Sequence, residues 1–409
     1  MPTAQTTLDH HGVQSYCHKL LTRHLRLPDY SKKCTFGLLC SVLLYVAAKA
    51  TTIKQACSAV RDFPCDQTVY DALEATLPKR LDLRRRINHT LAATLPRSVR
   101  KGKRRCTVAI DLFLIPYYGL PDKEEDRVHV GQEKASTHHH HAYATAYLVN
   151  KGRRFTLAML DVRHDTPWDQ IVKELLRLAR KVVPNIGLVL LDRGFYSVDV
   201  IRYLQRARTP FIMPMIGRGR QASHAKGASG SNVFKTWKRS GWGRYRLSQH
   251  NYTGTATVDV AVKVRRKYRK RPGSKPKGGR VLVYACWGAR GREASWVDEM
   301  YQRRRVDWVK ETYRKRFGIE TSYRQLNQGR GWTTSTCPKR RLLLVGLALV
   351  LRNVWALLHL EVLAQRRRGG PVLQPESLPL ATLLDWLADA LKERFGFLRE
   401  VEAPQPFFL

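Results

Sequence analysis

Two apolar segments, each carrying one aspartate, constrain the possible fold of this chain more than any other feature. Residues 107–119 contain Asp111, and the fully apolar residues 187–191 are followed directly by Asp192. Apolar runs of this length between polar residues are typical of buried strands. A buried carboxylate either becomes protonated or is paired with a cation. We therefore expect an α/β fold in which both acids lie on interior strands and face a ligand crevice.

A third acid, Glu320, stands within residues 313–324, where Gly318 is the only residue that disfavours a helix. We expect one helix here, with a stripe along one face formed by Tyr313, Arg316, Glu320 and Arg324. Arginine binds phosphate oxygens bidentately, and glutamate supplies a hard oxygen ligand for a divalent cation. The stripe therefore suits a metal ion bound against phosphate. Taken alone, it also fits a solvated face with i,i+4 ion pairs.

The three acids, taken in order, carry a family resemblance. Asp111, Asp192 and Glu320 resemble the DDE triad of RNase H-like transposases, and the resemblance extends over about residues 31–360. Asp161 is the alternative for the second position. The resemblance implies an RNase H-like mixed sheet in which the triad residues are catalytic.

The sequence around Glu320 narrows the resemblance. The spacing of Tyr313, Arg316 and Glu320 is similar to the signature of a prokaryotic insertion-sequence group named for its Y-R-E-K residues. Residues 192–196 resemble the second-aspartate motif, D-x-G-[FY], of the same group. The lysine of the signature, seven residues after the glutamate, falls here on Asn327. The resemblance therefore carries over the tyrosine, arginine and glutamate roles but not the lysine.

The resemblance implies a two-metal mechanism. Asp111 would bridge two Mg²⁺ ions, with Asp192 on one and Glu320 on the other, and Mn²⁺ would substitute. The chain would bind the terminal inverted repeats of its own element, cleave there and join the 3′-hydroxyls to target DNA. Synapsis of two ends would require a homodimer or a larger assembly. The alternatives are an RNase H-like nuclease without strand transfer and a non-enzymatic DNA-binding protein descended from a transposase.

Charge independently indicates a polyanionic partner. The chain has 73 Lys and Arg residues against 33 Asp and Glu residues, a formal net charge of +40. Such an excess attracts nucleic acid with a strong dependence on salt, although a generally basic or ribosome-associated protein shares it. Residues 265–271 and 275–277 form a basic loop that we expect to contact the DNA backbone. The predicted DNA-binding side chains are Tyr313, Arg316, Arg324, Arg193, Lys267 and Arg269.

The remaining features indicate a cytoplasmic, nucleoid-associated protein without a membrane partner. The eight cysteines form no CxxC pair. The amino terminus is polar and lacks the apolar core of a signal peptide. Residues 36–48 are too short to span a bilayer, and residues 342–360 are interrupted by Arg352 and Asn353. We expect both segments to be core helices.

The order of predicted elements suggests five regions. Residues 52–60 and 66–77 are compatible with a helix-turn-helix in the first of them. The predicted regions are a helical DNA-binding domain (1–103), the first part of the catalytic core (104–217), an inserted β-rich subdomain (218–305), the second part of the core (306–365) and a C-terminal helical region (366–409).

Overall fold

A computed structural model describes most of the chain. It covers residues 7–102, 105–119, 128–150, 152–223, 226–249, 252–265, 281–288, 299–367 and 370–397. The predicted DNA contacts Lys267 and Arg269 lie outside these residues, as does nearly all of the basic loop.

Apolar, β-branched segments form one mixed sheet of nine strands within the described ranges. In chain order the strands are β1 (Cys106–Pro116), β2 (His129–Lys134), β3 (Thr137–Leu148), β4 (Thr156–Val162), β5 (Ile186–Leu191), β6 (Phe211–Pro214), β7 (Gly241–Gln249), β8 (Tyr252–Val264) and β9 (Val281–Trp287). Two short strands, β10 (Gln365–Arg367) and β11 (Gly370–Val372), form a separate hairpin.

The helices of the described ranges lie mainly before and after the sheet in the chain. They are α1 (His10–Leu25), α2 (Phe36–Ala48), α3 (Ile53–Ala59), α4 (Asp66–Thr76), α5 (Arg80–Ala93), α6 (Arg97–Arg100), α7 (Trp168–Val182), α8 (Val198–Arg206), α9 (Glu299–Arg314), α10 (Phe317–Gln328), α11 (Pro338–Glu361) and α12 (Leu380–Phe395).

The centre of the sheet is built from β4, β3, β1, β5 and β6. Strands β1 and β4 both pair antiparallel with β3. Strand β5 then pairs parallel with β1, and β6 pairs parallel with β5. In the β1–β5 register Ile110 is the partner of Leu191. Asp111 and Asp192, the next residue on each chain segment, therefore lie side by side.

The β-rich segment predicted as an insertion continues the same sheet. Strand β9 pairs antiparallel with β6, β8 pairs with β9, and β7 pairs with β8. The strands expected between residues 218 and 305 are therefore present, but their hydrogen bonds join them to the core sheet. This pairing connects residues about 70 positions apart, such as Ile212 and Cys286, and local sequence carries no signal for such a long-range register.

The amino-terminal helices share one hydrophobic core with α11 and α12. Leu43 of α2, Leu91 of α5, Val350 of α11 and Leu387 of α12 are all fully or almost fully buried in this core. Helices α1–α5 thus pack on the C-terminal helices as well as on each other. The two helices of the predicted helix-turn-helix are present as α3 and α4.

Helix α11 is long and apolar enough to cross a membrane by length and composition, and the bent pair α2 and α3 would qualify if counted as one span. In the structure, 78% of the most apolar window of α11 is buried inside the protein. Its Asn353 is fully buried, and its side-chain amide forms hydrogen bonds with both the backbone N–H and the carbonyl of Thr156 at the start of β4. Helix α11 therefore packs as a core helix against the sheet.

Candidate active site

The three predicted acids converge on one guanidinium. Arg316 Nη1 lies 2.7 Å from Asp111 Oδ2, and Arg316 Nη2 lies 2.9 Å from Glu320 Oε1 and 3.3 Å from Asp192 Oδ1. The Arg316 side chain is only 7% exposed, and that of Asp111 is 13% exposed. Asp192 and Glu320 are 40% and 42% exposed and form the open side of the cluster. Residues separated by more than 200 positions thus form one compact acidic site.

The sheet positions the two aspartates. Asp111 lies within β1, and Asp192 follows the last residue of β5 and starts a short 3₁₀ turn over Arg193–Phe195. Ser197 then caps α8, because its side chain accepts a hydrogen bond from the Val200 N–H. The strand end and the following turn leave the Asp192 carboxylate partly exposed beside Asp111.

The helix predicted over residues 313–324 is interrupted. Helix α9 ends at Arg314 and α10 begins at Phe317. Around the break, several backbone N–H groups donate to carbonyls three residues earlier, as in Arg316 to Tyr313 and Ile319 to Arg316. The chain tightens into 3₁₀ geometry where Gly318, a poor helix former, lies against the Arg154 guanidinium. The expectation of one continuous helix was wrong, although Arg316 and Glu320 still face each other.

Two polar residues that the sequence did not single out anchor α10 to the sheet. The Tyr323 hydroxyl donates a hydrogen bond to the backbone carbonyl of Asp111 at 3.1 Å and lies 2.7 Å from Thr145 Oγ1. Thr145 is the β3 partner of Asp111 in the sheet register. Tyr323 stands three residues after Glu320, so both lie on one face of α10. That spacing was the available signal, but it became informative only once the strand partner was known.

Burial controls the protonation of the central acid. Desolvation raises the pKa of Asp111 to about 6; the Arg316 guanidinium opposes the shift, and the Asp192 carboxylate adds to it. Burial also raises the pKa of Tyr313, whose phenol is therefore protonated at neutral pH. The site thus holds one buried acid with a raised pKa beside two carboxylates that are more exposed to solvent.

The predicted DNA-binding side chains occupy different environments. Tyr313 is only 6% exposed and packs on Tyr284, with ring centroids 5.2 Å apart, while the Arg316 guanidinium lies 5.6 Å from the Tyr313 ring centroid. Arg193 and Arg324 are exposed, the first next to Asp192 and the second one turn beyond Glu320. The structure therefore places Tyr313 and Arg316 inside the site and the other two arginines on the surface around it.

Asp161, the alternative second acid, lies elsewhere. On β4 it forms ion pairs with Arg80 and Arg84 of α5, at 2.5 and 3.2 Å. Its side chain is 11% exposed. Asp161 therefore joins the helical core to the sheet, and Asp192 is the acid that meets Asp111.

A basic cleft of about 1100 Å³ opens beside the acidic cluster, between α9 and strands β8 and β9. Tyr313 and Phe317 form its boundary with the cluster, and Phe317 is 48% exposed. Asp307 is the one acid among its lining residues, and it pairs with Lys263 at 2.5 Å. The cationic lining residues are Lys238, Arg239, Lys263, Arg265, Lys310 and Arg314. The cleft thus presents a concentrated positive charge next to three carboxylates.

Comparison with known proteins gives a structural neighbour and a family for this chain. The fold is similar to that of the piggyBac transposase in a cryo-EM structure of its synaptic complex with hairpin DNA, with a TM-score of 0.54 and 10% sequence identity, over 99% of this chain and 84% of that chain. At this identity the likeness concerns the fold alone. A comparison with curated protein sequences found no match. Residues 102–354, which include all three acids and Arg316, match the family described as the transposase DDE domain, and the chain belongs to that family.

Proposed function

We propose that this protein is a DNA transposase that binds the ends of its own element, cleaves DNA by metal-dependent phosphoryl transfer and joins the 3′-hydroxyls to target DNA. The observation that carries the proposal is the convergence of Asp111, Asp192 and Glu320 on the Arg316 guanidinium. Three carboxylates gathered around one cation form a negative centre where the interior strands β1 and β5 lie side by side. Membership of the transposase DDE domain family supports the reading of this centre as catalytic.

The donor set fits Mg²⁺. All three groups offer the hard carboxylate oxygens that Mg²⁺ prefers, and Mn²⁺ accepts the same ligands. Asp111, Asp192 and Glu320 would hold the metal, which when bound would activate the attacking oxygen and stabilise charge on phosphate. The chain's own contribution is to hold the carboxylates together: β1 and β5 fix the aspartates, and Tyr323 fixes α10 against Asp111.

The cationic residues around the site support DNA as the substrate. Arg193 and Arg324 are exposed beside two of the triad acids and would hold the phosphate backbone near the cut. Arg316 was predicted to contact DNA as well, but it is buried and both of its Nη atoms pair with the triad acids, so it would hold the carboxylates in place, with Tyr313 packed against it. The basic cleft extends this positive surface, and the sequence that follows β8 adds further cationic residues, Lys267 and Arg269 among them.

The proposal includes the catalytic fold, the roles of the chain regions, the assembly and the place of action. The order β4-β3-β1-β5-β6, with an antiparallel trio followed by parallel strands, supports the proposal of an RNase H-like core. The five regions predicted from the sequence would serve end binding, catalysis and packing. Synapsis of two ends would require a homodimer or a larger assembly, and the protein would act in the cytoplasm on nucleoid DNA of a prokaryotic insertion sequence.

The test uses purified protein and DNA that carries the flanks of its own gene, with Mg²⁺ or Mn²⁺. Wild type is compared with Glu320→Gln, which keeps the side-chain size but removes a metal ligand, and with the matched control Glu376→Gln, whose exposed glutamate lies far along the chain between α11 and α12. We expect metal-dependent cleavage at the element ends followed by joined product for wild type and Glu376→Gln, with both products lost in Glu320→Gln.

The two alternative functions give different outcomes in the same assay. A nuclease without strand transfer would cleave but form no joined product with target DNA. If the protein is a non-enzymatic descendant of a transposase, wild type and Glu320→Gln would bind the ends equally well, and neither would cleave them. Either result would overturn the proposal.

A further inference from the structure

Two histidines and a glutamate meet on the surface where the first and last helices pack together. His10 and His11 begin α1, and Glu393 lies in the last turns of α12. Glu393 Oε2 is 2.9 Å from His10 Nε2 and 3.1 Å from His11 Nε2, and the two imidazole centroids are 4.1 Å apart. The three ligand atoms all lie within 4.8 Å of one another. The cluster is far from the DDE acids in sequence and belongs to different helices.

From this geometry we infer that His10, His11 and Glu393 form a binding site for a divalent transition metal, with zinc the best match. Bonds from zinc to imidazole nitrogen and to carboxylate oxygen are about 2.0–2.2 Å, so tetrahedral geometry separates neighbouring ligand atoms by roughly 3.3 Å. The two measured nitrogen-to-oxygen distances are close to that spacing. Two histidines and one glutamate leave the fourth position for water, and the partial exposure of all three side chains gives the metal access.

The ligand types separate this site from the acidic cluster. Imidazole suits zinc, copper and nickel, whereas Mg²⁺ selects carboxylate and water oxygens. The carboxyl end of α12 near Glu393 favours a cation and the amino end of α1 at His10 and His11 opposes one, so the two helix ends offset each other and the ligand types decide the metal. The inference therefore does not depend on the proposed catalytic metal, and Mg²⁺ does not compete for the histidines.

A metal at this position joins the two ends of the described chain. His10 and Glu393 are separated by 383 positions. Their helices contribute to one hydrophobic core, through residues such as Leu21 of α1 and Leu391 of α12. Glu393 meets the two adjacent histidines only in the folded protein, so zinc binds the native state in preference to the unfolded chain. A zinc ion bound at this site therefore stabilises the packing of α1 on α12.

The test is a zinc titration of the full-length protein by calorimetry, combined with thermal unfolding at each zinc concentration. Wild type is compared with Glu393→Gln and His11→Gln, which remove one ligand each from exposed positions, and with the control His89→Gln, which removes an exposed histidine of α5. We expect wild type and His89→Gln to bind one more equivalent of zinc than either ligand variant. Zinc should also raise the melting temperature of wild type and His89→Gln more than that of Glu393→Gln and His11→Gln.

Substitution with Co²⁺ gives an independent readout, because the ligand-field absorption of tetrahedral Co²⁺ reports its coordination. Wild type should show this absorption, and Glu393→Gln should lose the corresponding intensity. Circular dichroism verifies that each variant is folded. Equal zinc stoichiometry and an equal zinc-induced shift in melting temperature for wild type and Glu393→Gln would overturn the inference, whatever the outcome of the cleavage assay.

Discussion

Replacement of Arg316 by glutamine should destabilise the protein through one carboxylate in particular. Arg316 contacts three acids, but Asp192 and Glu320 are 40% and 42% exposed, and such solvated pairs contribute at most about 1 kcal/mol each. Asp111 is 13% exposed, and loss of the partner of a buried charge typically costs about 3–5 kcal/mol. We therefore expect the free energy of unfolding of Arg316→Gln to fall by about 3–5 kcal/mol near neutral pH, mostly because of Asp111.

The loss should depend on pH in a defined direction. In the wild type the folded-state pKa of Asp111 is raised to about 6 from its ordinary value of 3.8. The folded protein therefore binds more protons than the unfolded chain between these values, and its stability falls as pH rises through this window. The Arg316 guanidinium lowers this pKa, so its removal moves the upper end of the window above 6. The difference between wild type and Arg316→Gln should therefore be larger at about pH 8 than at about pH 5.

The assay is equilibrium unfolding in urea, followed by tryptophan fluorescence at both pH values. Arg314→Gln is the matched control, since Arg314 is 63% exposed and pairs with Glu311 on its own helix. Its effect should stay within about 0.5 kcal/mol of wild type. A loss below about 1 kcal/mol for Arg316→Gln, or a loss of the same size at both pH values, would refute the assignment of the cost to buried Asp111.

Three further predictions concern the triad and helix α11. Ca²⁺ affinity of the triad, measured by calorimetry without DNA, should fall as pH is lowered through about 6, because Asp111 then becomes protonated; an affinity that is constant across this range would contradict the pKa. Asn353→Leu should lower the free energy of unfolding by about 2–5 kcal/mol in urea, since the N–H and carbonyl of buried Thr156 both lose their partner. Gly346→Ala should cost about 1–2 kcal/mol in the same measurement, because its new methyl group would lie 2.8 Å from a buried isoleucine of α5. Gly194→Ala, where no atom lies within 4 Å of the added carbon, is the control and should cost clearly less.

Much of the acidic site was accessible from sequence because each acid interrupts a recognisable local pattern. Asp111 and Asp192 are marked by the apolar strands that carry them, and the apolar run is itself the consequence of burial in a sheet centre. Glu320 is marked by its spacing from Arg316, and that pair forms the i,i+4 contact expected for a helix surface. These signals lie within a few residues of each acid and marked each as a candidate, and the family resemblance joined the three candidates into one site.

The features that sequence reasoning missed all depend on distant partners. The break between α9 and α10 occurs where Arg154, from the loop between β3 and β4, packs against Gly318. The anchoring role of Tyr323 depends on the β1–β3 register, which brings Thr145 opposite Asp111. The continuation of the sheet into β9 likewise depends on pairing between segments far apart in the chain. Hydrophobic and polar patterns show that a residue needs a partner, but they do not show which one.

The contacts around Asp111 explain how a stable fold accommodates an acidic centre. Its carboxylate is buried at an energetic cost, as its raised pKa shows, and Arg316 offsets part of that cost. Its backbone carbonyl accepts the hydrogen bond from Tyr323 that holds α10, and with it Glu320, against β1. One strand position therefore bears the least favourable charge of the site and also the contact that fixes the third acid. A change that relaxes β1 at Asp111 would alter the spacing of the triad even if all three acids were retained, so in this chain the geometry of the site and the packing of the core are not separable.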